Sequence, residues 1–271
     1  MKTRNKIILI TAGVLVFLAG VFALTVKHLY TRKTLGDLVF EPDYYWPEEK
    51  SDAGKWKFRK TYAGYDYFLY LPPQYKDDQH NAEAKLPLFV LFHGSYDKGI
   101  ALGRYGRMFA GQEVQSIRPC AVLVLLARVG YYSDCHDTSM LIQNVLMQNE
   151  CIDKTSIIAY GHSQGAYYAV KMACYQRELF KAVISGSGYY TVTKKELLKL
   201  LPVQFWFGLS ENDKGIYEQG CKTGPLLEKY CKNSVYALYK NRGHFYVELK
   251  DVAPQSGVAF IDWLSSVLND R

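Results

Sequence analysis

The sequence contains no CxxC pair, so the spacings that hold structural zinc or carry thioredoxin-like redox chemistry are missing. Positions 1–33 hold no acidic residue; they carry Lys2, Arg4, Lys6, Lys27, Arg32 and Lys33. Of the 33 basic residues those six leave 27 for the remainder, against all 26 acids, so the formal charge of +7 belongs almost wholly to the amino end. A basic surface for nucleic acid is not indicated on that balance. There is no internal repeat and little low-complexity sequence, which places the chain among globular proteins with a sizeable core. No cysteine closely follows the early apolar run, so a lipoprotein anchor has no support.

The chain of 271 residues, 49% of them apolar, has material for one large core plus an appendage. Residues 7–26 carry no charge, and twenty residues of helix rise about 30 Å, the hydrocarbon thickness of a bilayer. The expectation is a single membrane span over 7–26 acting as an uncleaved signal anchor, with the domain that follows outside the cytoplasm. The alternative is a signal peptide cut after Val21-Phe22-Ala23 and a secreted or periplasmic protein. Residues 1–33 are thus assigned to the anchor, 34–54 to a connector rich in Asp, Glu, Pro and Lys, and 55–271 to the functional domain. Six cysteines (Cys120, Cys135, Cys151, Cys174, Cys221 and Cys231) permit disulfides in an exported chain, with buried thiols as the other reading.

The Tyr-rich stretch 55–71 alternates around a turn at Ala63-Gly64, as an antiparallel hairpin does, and Pro72-Pro73 ends it. Short apolar runs follow at 86–92, 121–126, 156–160, 182–185, 203–208 and 235–239. Such runs suit strands buried on both faces of a parallel sheet. Between and after them lie segments of helical period, among them 140–149, 165–174, 224–232 and 258–268. The alternation predicts an α/β fold: a doubly wound, mostly parallel sheet with an N-terminal antiparallel hairpin, preceded by one apolar N-terminal helix.

The sharpest motif is Gly161-His162-Ser163-Gln164-Gly165, placed between a strand and a helical segment. A G-x-S-x-G nucleophile elbow needs that context, because the glycines make room for a tight turn that lifts the serine hydroxyl above the sheet edge. Serine attacks only when a base takes its proton. His244, in Arg242-Gly243-His244-Phe245 after the last strand, is the histidine that follows both the elbow and a further strand. The acid that orients it is expected after the run 203–208, where Asp213 is chosen over Glu211. The oxyanion needs backbone donors, assigned to the N–H of Gln164 and of Ser95, the latter in the His93-Gly94-Ser95 turn.

Phe68 to Tyr75 (FLYLPPQY), then LPLFVLFHGS over 86–95, resemble the opening of the esterase and polyhydroxybutyrate-depolymerase-like branch of the α/β-hydrolases. So does Cys151-Ile152-Asp153 leading through IIAYGHSQGAYYAVKMA to Ala182. The resemblance spans about 57–265 and implies a Ser163, Asp213, His244 triad. Its members include acetyl and feruloyl esterases of plant polysaccharides and proteins described as predicted peptidases. The chain departs from the pattern at Ala166, where many members have glycine, and over 125–134, where a proline turn is common.

Tyr96, Tyr131, Tyr132, Tyr167, Tyr168, Tyr189 and Tyr190 all follow strand ends and form an expected binding edge, with Tyr96, Tyr167 and Tyr189 chosen as substrate contacts. In a chain of 23 tyrosines, packing accounts for most such rings. Asp134-Cys135-His136-Asp137 reads as a polar loop, since four consecutive residues cannot all face one ion. No metal or cofactor is expected. The expected partner is a small-molecule or polysaccharide ester, not nucleic acid; the oligomeric state stays open. Three functions compete: carboxylic ester hydrolase, serine peptidase with the same triad, and a non-catalytic surface binding protein that has kept the fold.

Overall fold

The computed structural model describes residues 20–21, 55–60, 65–73, 75, 85–95, 101–127, 130–132 and 134–270. The chain divides into two compact units, Met1–Pro42 and Asp43–Arg271, and everything below belongs to the second.

The hairpin forms as expected, with β1 (Lys55–Lys60) antiparallel to β2 (Tyr65–Leu71). The remaining strands are β3 (Leu86–Phe92), β4 (Ala121–Ala127), β5 (Ile152–His162), β6 (Ala182–Gly186), β7 (Gln204–Ser210) and β8 (Val235–Tyr239). The sheet order is β1-β2-β4-β3-β5-β6-β7-β8. β2 runs antiparallel to β4, and every pairing from β4 across to β8 is parallel. Each of the six apolar runs is a strand, because a run buried on both faces has no polar side to show. β5 starts earlier than its apolar run: Ile152 pairs with Leu86 before the register shifts at Pro87, which has no N–H for the ladder.

A π-helical stretch, Ala101–Gly106, continues into α1 (Arg107–Ala110) and α2 (Gln112–Ile117). The other helices are α3 (Cys135–Gln148), α4 (Gln164–Tyr175), α5 (Lys194–Leu200), α6 (Lys214–Gly220), α7 (Thr223–Tyr230) and α8 (Phe260–Asn269). Side chains alternate through the sheet with the period of two that a strand imposes. Val90, Phe92, Phe205 and Phe207 join Tyr168, Met172, Leu200 and Leu227 of the helices on one face. On the other, Phe89 stacks on Phe109 at 4.1 Å, Tyr160 meets Tyr105 at 4.6 Å, and Trp206 meets Phe260 of α8 at 5.1 Å.

One reading of the sequence needs correction. The segment 134–137 is not a loop: Asp134 caps α3, accepting from the N–H of His136 and Asp137 at 2.7 and 3.2 Å, so the helix begins at Cys135. All six cysteines are free thiols, four of them buried, the second of the two readings left open. Among the described residues no helix is long and apolar enough to cross a membrane. The segment 7–26, apart from helical Gly20 and Val21, lies outside the described residues, as do the connector 34–54 and Tyr96.

Candidate active site

The ladder registers line up the carboxyl ends of five strands. Phe92 of β3 pairs with Gly161 of β5, His162 with Gly186 of β6, Gly186 with Gly208 of β7, and Ser210 with Tyr239 of β8. The turn 93–95, the elbow at Ser163, the loop after β7 and the loop after β8 therefore open on one edge, where ligands of open α/β sheets bind.

Ser163 stands between β5 and α4 with φ 55° and ψ −120°, a conformation that a residue with a side chain adopts at a cost of about 1–3 kcal/mol. Its N–H donates to Gly186 O at 2.9 Å, pinning the elbow to β6. The two glycines are required by contact. A Cβ on Gly161 would lie 2.2 Å from Gly165 O, and one on Gly165 would lie 2.2 Å from Phe92 O and 2.5 Å from His93 O. Only hydrogen at both positions lets the chain turn this sharply and lets α4 start against the end of β3. Gln164, the first residue of α4, has one of the N–H groups that find no partner within a helix.

His244 lies after β8. Its Nδ1 is 2.7 Å from Asp213 Oδ2, the N-cap position of α6. The imidazole is 41% exposed and the carboxylate 15%. Glu211, the runner-up, is exposed on the same turn, and its N–H donates to Tyr239 O at 2.8 Å.

The loop that carries His244 is braced by residues the sequence did not single out. Asn212 Oδ1 accepts from Ser210 Oγ and from Gly243 N, both at 2.7 Å, and Ser210 Oγ accepts from Arg242 N at 2.9 Å. Gly243 takes φ +67°, the left-handed region that glycine enters freely. Phe245 N donates to Ser187 Oγ at 2.9 Å, and Ser187 itself has φ 50°. Arg242 pairs with the buried Asp251 at 2.7 Å, its guanidinium 4.3 Å from the Phe245 ring centre and 4.7 Å from that of Tyr239. A short polar side chain that accepts a backbone N–H leaves no mark distinguishing it from a solvated loop residue, which is why Ser187, Ser210 and Asn212 were missed.

The turn 93–95 is held from behind. His93 Nε2 accepts from Ala127 N at 3.1 Å, so Nδ1 carries the proton and donates to Gly94 O at 2.6 Å. His93 N donates to the Tyr132 hydroxyl at 3.0 Å, that hydroxyl donates to Leu125 O at 2.6 Å, and Gln164 Nε2 donates to Tyr132 O at 3.2 Å. Tyr132 thus links the two segments whose N–H groups were assigned to the oxyanion, Ser95 on an exposed turn and Gln164 at the helix start.

Packing takes three of the strand-end tyrosines. Tyr132, Tyr168 and Tyr190 belong to the core, with Tyr132 stacked on Tyr168 at 4.9 Å. Burial pushes the Tyr132 phenol above its usual range, which keeps it a neutral donor. Tyr167 and Tyr189 are half-buried and stacked at 4.9 Å, with Tyr167 one helical turn from Ser163, its N–H on Ser163 O at 3.0 Å. Burial, and then the neighbouring Tyr167 and Tyr131, raise the Tyr189 phenol. Among the described residues no group of three His, Cys, Asp or Glu could hold a metal ion.

A model of the prolyl oligopeptidase family matches residues 133–219, less than half of the chain; the match includes Ser163 and Asp213 and ends before His244. No curated protein matches the chain by sequence. Among solved structures it is similar to a thermostable esterase, with TM-score 0.56 and 19% identity over 70% of this chain and 56% of that one. It thus spans little more than half the length of that esterase. A serine-to-alanine mutant of the feruloyl esterase module from Clostridium thermocellum, complexed with sinapinate, gives 0.54 and 12% over 75% and 86%. The substrate-bound fluorophosphonate-binding serine hydrolase F of Staphylococcus aureus gives 0.52 and 13% over 71% and 91%. The chain has the α/β-hydrolase fold.

Proposed function

We propose that this protein is a serine hydrolase that cleaves carboxylic esters through an acyl-enzyme. The observation that carries the reading is the strained Ser163 at the β5–α4 turn on the same sheet edge as the His244–Asp213 pair. In the proposed reaction His244 Nε2 takes the hydroxyl proton as Ser163 Oγ bonds to the ester carbonyl carbon. The carbonyl oxygen becomes an oxyanion facing the N–H groups of Gln164 and Ser95. Collapse breaks the carbon–oxygen bond to the alcohol, which leaves with the proton from His244. Water then attacks the acyl-Ser163, again losing its proton to His244, and the acid departs with the serine restored. Asp213 holds the imidazole in the tautomer with its proton on Nδ1 and faces the positive charge while it exists.

Tyr167 and Tyr189, with Tyr96, are proposed to line the acyl side, where a stacked pair one turn from the nucleophile offers a flat apolar wall to an aryl acyl group or a sugar ring. Acylated polysaccharide is the proposed natural substrate class. Peptide hydrolysis by the same residues is the second reading, favoured by the prolyl oligopeptidase match. The test is a panel of p-nitrophenyl esters and aminoacyl p-nitroanilides with wild type and Ser163→Ala, together with mass spectrometry after fluorophosphonate treatment. Esters are expected to be turned over and Ser163 to carry the adduct. Serine loss should lower kcat by about 10⁴–10⁶. Equal activity in the variant overturns the assignment, and preference for the anilides selects the peptidase.

The domain is further proposed to be anchored through 7–26 and to work outside the cytoplasm, supported by the length of that run and by Lys2, Arg4 and Lys6 before it. The full-length protein should stay in the membrane fraction through carbonate washes, and protease added to spheroplasts should digest the domain. Protection of the domain in sealed spheroplasts would reverse the orientation, and a soluble product beginning near Leu24 would indicate cleavage.

A further inference from the structure

His162, the unspecified second position of the G-x-S-x-G pattern, is 3% exposed and ends β5 directly before Ser163. Its ring centre lies 4.6 Å from that of His244, edge to face at 63°, and 3.8 Å from that of Tyr246. The Arg104 guanidinium covers Tyr246 at 4.7 Å from the ring centre and is itself bonded to Glu248. Tyr105 closes the side, 5.2 Å from Tyr246. Four planar groups, Arg104, Tyr246, His162 and His244, thus form one column running from a surface ion pair to the imidazole beside the elbow.

We propose that His162 and Tyr246 are positioning residues for His244, setting the plane of its ring relative to Ser163. The proposal rests on the reading of Ser163 and His244 as nucleophile and base. A single hydrogen bond to Asp213 fixes one corner of the imidazole and leaves the ring free to swing about that corner. The backbone on either side of it is tied down through Gly243 N and Phe245 N, so the freedom that remains belongs to the side chain. Contact with a neighbouring ring removes that freedom, because the preferred edge-to-face arrangement defines an angle as well as a distance. The segment after His244 is seated tightly enough to hold the contact: a Cβ on Gly186, the ladder partner of His162, would meet Val247 N at 3.2 Å and Phe245 O at 3.3 Å. His162 is joined to Ser163 by a peptide bond and touches His244 through its ring, so it gauges the separation between the two.

The test compares His162→Leu, which keeps bulk without a flat ring, with His162→Phe, which restores the ring without its nitrogens; Tyr246→Leu probes the next member of the column. kcat and KM on p-nitrophenyl acetate, the rate of fluorophosphonate labelling of Ser163, and the thermal midpoint are measured for each. His162→Leu is expected to lower kcat and the labelling rate together by about 10- to 100-fold with KM within about threefold, the signature of misplaced groups and not of lost binding. His162→Phe should recover most of the loss, and the partly exposed Tyr246→Leu should lose about 10-fold while remaining folded. The proposal is overturned by a folded His162→Leu with wild-type kcat, by a loss carried in KM, or by Phe rescuing no better than Leu. If both His162 variants fail to fold, Tyr246→Leu decides, and wild-type kcat there overturns it as well. Wild type that is neither labelled nor active would refute the functional reading and the column with it. Full labelling of wild type with indifferent variants would refute the column alone.

Discussion

His244 and Asp213 lie 31 residues apart in sequence and meet with Nδ1 and Oδ2 at 2.7 Å, while Glu211, two residues before Asp213, is exposed on the same turn. Asp213→Asn keeps the shape but loses the charge that favours the working tautomer, and kcat should fall by about 10⁴. Glu211→Gln should stay within about twofold, as surface substitutions away from such contacts do. Steady-state kinetics on one ester decide between them, and the reverse ranking would make Glu211 the acid.

Asn212 Oδ1 receives two donors that tie the β7 loop to the His244 loop. Asn212→Ala leaves Gly243 N–H and Ser210 Oγ to water, so stability should drop by about 1 kcal/mol, readable in urea melts. The loosened loop should reduce kcat by about 10-fold at nearly constant KM. A stability loss with undiminished kcat would show that the brace serves folding alone.

The Arg104 guanidinium holds the Glu248 carboxyl below its ordinary value of 4.5, and Arg104 is raised in return. A carboxyl whose folded value is depressed contributes stability above its unfolded value and loses it as pH falls through the folded value. With the two side chains 50% and 27% exposed, the contribution is screened to about 0.5 kcal/mol. Glu248→Gln should therefore be less stable than wild type at pH 7, and the gap should narrow as pH falls below 4.5 in thermal melts. A gap that stays constant with falling pH would assign the effect to packing.

Burial pushes the thiols of Cys174 and Cys231 up to about 12, and that of Cys120 higher still. Thiolate is the reactive form, so these three should resist Ellman's reagent at pH 8 in the native protein, and the half-buried Cys221 should react ahead of them. Six thiols should titrate after denaturation without reductant, and reductant should leave the thermal midpoint unchanged. Fewer than six would reveal a cross-link.

The six parallel strands were legible because a strand buried on both faces is written as an unbroken apolar run, and all six runs are strands. The elbow was legible for a related reason: backbone atoms 2.2 Å from a hypothetical Cβ admit only glycine at 161 and 165, so the constraint is stored in residue type. The hidden features are those in which a residue type has two uses. Asp134 to Asp137 looked like a polar loop because a helix N-cap draws on the same residues as a turn. Tyr132, grouped with the strand-end rings of the expected binding edge, instead carries hydrogen bonds between the 93–95 turn and Gln164. The even cysteine count left cross-links and buried thiols both open, and four of the six side chains lie in the interior as free thiols.

The sequence by itself determined the order of elements, the place of the turn at Ser163 and the candidates for its partners, since period, glycine and chain order are local properties. Tertiary structure alone decided that Asp213 and not Glu211 meets His244, that Ser210 and Asn212 brace its loop, and that His162 stands against its ring. Those contacts join separate strand ends, and their distances are fixed by ladder register and loop packing, which no stretch of chain encodes alone.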